Sequence, residues 1–325
     1  MKRLLLAGLC AGLFQFAFAA APTAPVRAVP EIKVINLASD YAAFWDATRH
    51  MPEGERIAAF KQQVASRFPE FYGIERYDGD FTQAQQDERI ARSFVKFEPM
   101  RAAYQAVVGR FSAQLPRHIA SFATAFPDFQ PTVPTYLLHS LNEMDGGTRT
   151  FNGKTYLILG ADRIATLHGE GDAAPFFHHE LFHIHHEAAM AACDGQGMWL
   201  PLWQEGLATY VSKALNPQAT EEDMLLEFPA GSLPLTKARL YDSFAHLDTV
   251  LDNTDYAKQY PPLFNSAKDD TGLAPRRGYY LGYLVAAEIA KSRDLQALAS
   301  LSCDDAKQLV HVTVAKLKQA NRPAP

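Results

Sequence analysis

The chain has 325 residues, with 31 Lys and Arg against 36 Asp and Glu, a formal net charge of −5. Without Lys2 and Arg3, which fall in the N-terminal segment described next, 29 basic side chains face 36 acidic ones, and this balance argues against a nucleic-acid surface as the main function. The length is ample for one large catalytic domain with helical additions or for two tightly packed subdomains.

Lys2 and Arg3 form a positive start, and Leu4–Phe18 is an apolar run too short and wrongly flanked to span a membrane. Ala17-Phe18-Ala19 offers the small residues of a cleavage site before Ala20. Cys10 follows Leu9 rather than a small residue, so lipoprotein processing is not expected there. Residues 1–19 therefore read as a secretory signal peptide, and the mature chain as an exported protein, periplasmic or secreted. No later apolar run is long enough for a membrane span. Two cysteines remain after cleavage, Cys193 and Cys303; in an oxidising compartment they can pair, and two buried thiols are the equal alternative.

Residues 20–30, rich in Pro and Ala, read as an extended leader. Residues 31–130 then show helical spacing. Tyr41, Phe44 and Trp45 recur on one face after Ser39 or Asp40 as a cap. Ile57, Phe60, Val64 and Phe68 make a second stripe, ended by Pro69. Ile90, Phe94, Phe97, Met100, Tyr104, Val107, Phe111 and Leu115 make a third, which is expected to stop at Pro116 and to kink or split at Pro99. Core packing accounts for these stripes.

The pattern changes in 131–325, read as the catalytic region. Thr135–His139 and Thr155–Leu159 are β-prone, and Asn152-Gly153 signals a two-residue hairpin. A small antiparallel sheet is expected there, followed by a turn at Gly169–Asp172. Next comes Phe176–Ala188, FFHHELFHIHHEA, which contains His179-Glu180-Leu181-Phe182-His183. Residues four apart on a helix share one face, so His179 and His183 can offer imidazole nitrogens to one metal ion. Glu180, beside the first of them, can act on a metal-bound water as general base. His186 falls near the same face, as an alternative ligand or, one turn further along, a packed histidine.

Leu202–Tyr210, LWQEGLATY, reads as a second helix with Pro201 in its first turn. It places Glu205 22 residues after His183. Two histidines and a carboxylate, with one position left for water, form a catalytic-zinc donor set. Further on, Leu240–Leu251 is helical in pattern and Tyr260–Gly272 irregular, a rim or lid over the cleft. Tyr279–Lys291 reads as a helix in which Gly282 allows close backbone approach, and Asp304–Gln319 as the last helix.

HELFH followed by WQEGLATY resembles the gluzincin metallopeptidases. With the late Arg277-Gly278-Tyr279-Tyr280-Leu281-Gly282-Tyr283 segment, the pattern looks most like the bacterial zinc-dependent protease family predicted from sequence under a domain-of-unknown-function label. The resemblance covers roughly Phe176–Glu288, about a third of the chain. It implies one zinc ion per chain on His179, His183 and Glu205, with Glu180 as base and a peptide or protein as substrate. Thermolysin-like members carry an Asp where Thr209 stands. The aminopeptidase G-x-M-E-N motif is not reproduced by Asn142–Gly146, so aminopeptidase activity is not expected. The fold expected is α+β, a mainly helical zincin-like domain with a small antiparallel sheet. Tyr279 or Tyr280 is the candidate donor to the tetrahedral oxyanion, since a phenol donates a hydrogen bond without adding charge. Two other functions share these motifs: a peptide- or partner-binding protein without turnover, and a zinc buffer built on the His-rich helix.

Overall fold

The computed structural model describes residues 30–323 except Asp78, Thr132, Glu170 and Asp194; the expected signal peptide and residues 20–29 of the expected leader lie outside them. The chain starts with strand β1 (Val34–Asn36), followed by helices α1 (Ala38–Thr48), α2 (Glu53–Gln63), α3 (Pro69–Tyr72) and α4 (Gln83–Ala125). Strands β2 (Thr135–Leu138), β3 (Gly146–Phe151) and β4 (Lys154–Gly160) come next, then α5 (Ala161–Leu167), α6 (Ala174–Met190) and α7 (Trp199–Leu215). The remaining helices are α8 (Ser232–Ala238), α9 (Leu240–Val250), α10 (Tyr256–Phe264), α11 (Gly278–Ile289), α12 (Leu295–Ala299) and α13 (Cys303–Ala320). The class is α+β and mainly helical. One buried apolar cluster runs from Leu37 to Val314.

The sheet differs from expectation in being mixed. Its order is β1-β2-β4-β3, with β1 parallel to β2, β2 parallel to β4, and only β3 antiparallel to β4. The Asn152-Gly153 hairpin forms as read, both residues having positive φ, 50° and 74°, as a two-residue turn with matching twist requires. The hairpin partner β3 lies on the far side of β4, so β4 pairs parallel with β2; the other parallel pair comes from β1, three residues long and too short for an alternating pattern to show. It reaches β2 through the helical crossover α1–α4, as parallel neighbours must.

The third stripe also runs further than expected. Helix α4 is 43 residues long and continues through both Pro99 and Pro116. Both prolines sit on its exposed side, where a carbonyl that loses its i→i−4 donor faces water, while Gln114, Leu115, His118, Ile119 and Phe122 extend the buried face. Its start is fixed by a capping box between Thr82 and Gln85. Helix α1 is not capped by Ser39 or Asp40; instead the Asn36 side chain accepts from the Ser39 backbone N–H (3.1 Å). Tyr260–Phe264, read as irregular, forms the last turns of α10. Pro261 and Pro262 lie inside this helix, which lasts nine residues.

Candidate metal centre

Helix α6 has a strongly apolar composition, with Pro175 in its first turn where a missing N–H costs nothing. Phe176, Phe177, Leu181 and Phe182 are buried, which fixes the rotation of the helix and turns His179 and His183 toward α7. Helix α7 buries Trp199, Leu202, Trp203, Leu207 and Val211, and this fixes Glu205 on the side facing α6. Gly206 lets α7 approach α11: a Cβ there would lie 2.3 Å from the Gly282 carbonyl carbon, and one on Gly282 would lie 2.5 Å from the Leu202 oxygen. The glycine after Glu205 and the glycine of the late segment are therefore two halves of one helix contact.

The three expected ligands converge. His179 Nε2 lies 3.0 Å from His183 Nε2 and 3.2 Å from Glu205 Oε2, and His183 Nε2 lies 3.4 Å from Glu205 Oε2. They are the only group of three or more His, Cys, Asp or Glu among the described residues able to hold a metal ion. In a tetrahedral zinc site with bonds of about 2.0–2.2 Å, neighbouring donor atoms lie roughly 3.3–3.6 Å apart. The observed triangle has nearly those edges, and its donor chemistry is that of a zincin-like site. The rest of the His-rich helix does not join it. His178 bonds Ser121 Oγ (2.7 Å) and the Asn216 amide (2.8 Å). His185 packs among Phe122, Phe126 and Phe129. His186 is buried against Phe182, with burial pulling its pKa down to about 3, and stands outside the ligand triangle.

The electrostatics follow from close packing of unlike groups. Burial pulls both histidines down, and for His179 it prevails over the Glu205 bond. For His183, Glu205, Glu180 and Glu187 outweigh burial and raise it to about 9. Burial pushes Glu205 up, but the two histidines hold it well below the usual carboxylate range. Glu180 is raised to about 8 by burial first, then by Asp145 and Glu205, against His183 and Arg149. Its Oε2 is buried without a hydrogen-bond partner. The Glu180 side chain crosses Gly146, where a Cβ would come within 2.7 Å of its carboxyl carbon.

Gly146 begins β3, the edge of the sheet, and Gly146–Arg149 line the same cleft as the triad, a cavity of about 770 Å³. The loop leading into β3 is held by Asp162 of α5, fully buried, which accepts from the backbone N–H of Ser140 (2.7 Å) and of Asn142 (2.7 Å). This anchor delivers Asp145 to the cleft, where it pairs with His168 at 2.8 Å.

The two tyrosines part company. Tyr279 lines the cleft with its ring 6.2 Å from that of His179, and burial raises its pKa so that the hydroxyl keeps its proton. Tyr280 lies on another face of α11, against Lys237 and Tyr283, and is not among the cleft residues. Thr209 donates to the Glu205 carbonyl at 2.8 Å, a bond within α7. Tyr260, Phe264, Asn265 and Ser266, from the stretch expected over the cleft, line it, and Asp145, Gly146, Arg149 and Arg276 do so without having been expected there. Only the Gly146-Gly147 pair before a strand signalled a close backbone approach. Against protein-family models, curated proteins and solved structures the chain gives no match.

Proposed function

We propose that the chain is an exported zinc-dependent peptidase of gluzincin type, with His179, His183 and Glu205 as ligands and Glu180 as general base. The observation that carries this reading is the convergence of those three side chains beside a buried, unpartnered Glu180 carboxyl oxygen. Zinc bound there supplies Lewis acidity and lowers the pKa of water toward neutrality. Glu180, whose buried Oε2 has no other hydrogen-bond partner, takes up the proton. Tyr279, protonated and beside His179, donates to the developing oxyanion. The outer edge of β3 aligns an extended peptide by strand addition.

Export is supported by the Cys193–Cys303 disulfide, a feature of oxidising compartments. Among the described residues no helix is long and apolar enough to cross a membrane. A buffering role is disfavoured by a single ligand group on a helix whose other histidines stand outside it. The test is elemental analysis together with mass-spectrometric readout of peptide-library cleavage by the mature protein. One zinc per chain with selective cleavage is expected, and His179→Ala or Glu205→Ala abolishes both. Full zinc in the Glu205→Ala variant contradicts the ligand set, and no cleavage across a broad library contradicts the enzyme.

A further inference from the structure

Arg276 stands at φ +61°, a backbone conformation that a long side chain rarely adopts and that only its surroundings can hold. Its backbone N–H donates to the Pro262 carbonyl (3.0 Å), and its Nη1 donates to the Leu225 carbonyl (2.5 Å). The guanidinium stacks 4.1 Å from the ring centre of Tyr279. It is thus fixed in place over a cleft tyrosine, yet it makes no ion pair with any described residue.

Arg149, on the edge strand, is likewise unpaired; its Nη1 donates only to the neighbouring Thr148 carbonyl (2.8 Å). Arg149, on β3, and Arg276, over Tyr279, line the same cleft as His179, His183 and Glu205. The two cations therefore share the cleft of the metal centre. No acidic side chain forms an ion pair with either of them among the described residues. Asp145 feels Arg276 but pairs with His168, Glu143 and Glu205 are held by arginine and histidine, and Glu187 and Asp223 bond threonine hydroxyls.

A guanidinium held in advance loses little freedom on binding, and its fork matches a carboxylate. We infer that Arg276, with Arg149 beside it, receives a carboxylate of the substrate, so that the cleft favours peptides bearing an acidic side chain or a free C-terminus next to the bond to be cut. This rests on the peptidase reading, since it takes the cleft to hold a peptide.

The test measures binding rather than turnover, so that failure of catalysis and failure of this inference separate. Zinc-loaded mature Glu180→Gln protein is titrated calorimetrically with octapeptides identical except for Glu or Gln at one central position, each as free acid and as amide. Carboxylate-bearing members are expected to bind about tenfold tighter or more, the range of a charged hydrogen bond. Adding Arg276→Gln removes that preference and leaves the Gln amide within about twofold, while Arg276→Lys retains part of it. The Glu/Gln contrast reports a side-chain carboxylate and the acid/amide contrast a terminal one; a preference in either supports the inference. Equal affinity for all four peptides overturns it, and so does the absence of binding by any of them. Uniform weakening of all four by Arg276→Gln, at matched zinc content and circular dichroism, also overturns it and leaves Arg276 a structural clamp.

Discussion

Glu143 shows how a single carboxylate ties the cleft to the helical half of the chain. It sits on the cleft wall and receives both Arg76, through two contacts of 2.9 and 2.5 Å, and Arg89 at 2.8 Å. Burial alone would raise its pKa; the two arginines reverse that and hold it at about 2. A carboxylate depressed on folding contributes stability that is present above its unfolded pKa, about 4.5, and lost as pH falls toward 2. Glu143→Gln is therefore expected to lower the unfolding free energy by on the order of 1–3 kcal/mol at pH 7, after discounting for its partial exposure. Urea titrations should show the gap between the two proteins closing between pH 4.5 and about 2. A gap of the same size at both ends of that window contradicts the pairing.

At the scale of elements, the site depends on α6, α7 and α11 meeting closely, and Gly206 against Gly282 is the tightest point. Gly282→Ala would bring a methyl to 2.5 Å from the Leu202 carbonyl and 2.8 Å from the Gly206 Cα. Both obstacles are backbone and cannot rotate away. The expected loss is about 3 kcal/mol, the upper part of the overpacking range; an unchanged urea midpoint would argue against so close a contact. Much of this was legible beforehand. The His179/His183 face follows from helical period alone, Gly282 was read as a close approach, and Asn152-Gly153 dictated the hairpin. What escaped had weak local signals. Strand β1 has three residues, α4 passes two prolines because both face water, and α10 holds two prolines within nine residues. Arg149 and Arg276 carry no motif. They reach the cleft through an edge strand and a positive-φ residue, which are tertiary facts. Tyr279 and Tyr280 were interchangeable in sequence, and only the rotation of α11 separates them.

At the scale of the whole molecule, the Cys193–Cys303 disulfide, with Cα atoms 5.5 Å apart, joins the turn after α6 to the start of α13. It closes a loop of 110 residues that contains α7 and α11, so the unfolded chain is constrained across most of the site-bearing half. Loop-closure arguments value such a link at roughly 4–5 kcal/mol before strain. The Cys193→Ser, Cys303→Ser double variant should lose at least about 2 kcal/mol, and unreduced denatured wild type should show no free thiol among these two positions. Two titratable thiols would contradict the link. The loop so closed includes the Glu205 helix α7 and Tyr279, while α6 with His179 and His183, Asp162, Asp145 and β3 approach from outside it. The cleft is built where these two portions of the chain pack together.

The proposed hydrolysis depends most directly on Glu180. Glu180→Gln keeps the volume and a hydrogen-bonding oxygen, removes the carboxylate proposed to accept the proton, and leaves His179, His183 and Glu205 untouched. Peptide hydrolysis by mature wild type and by this variant should be compared at equal, measured zinc content on the same library. The expected result is one zinc in each and a loss of at least about a hundredfold in the variant, the low end of general-base catalysis. Equal rates at equal zinc would contradict the assignment of Glu180 as the base.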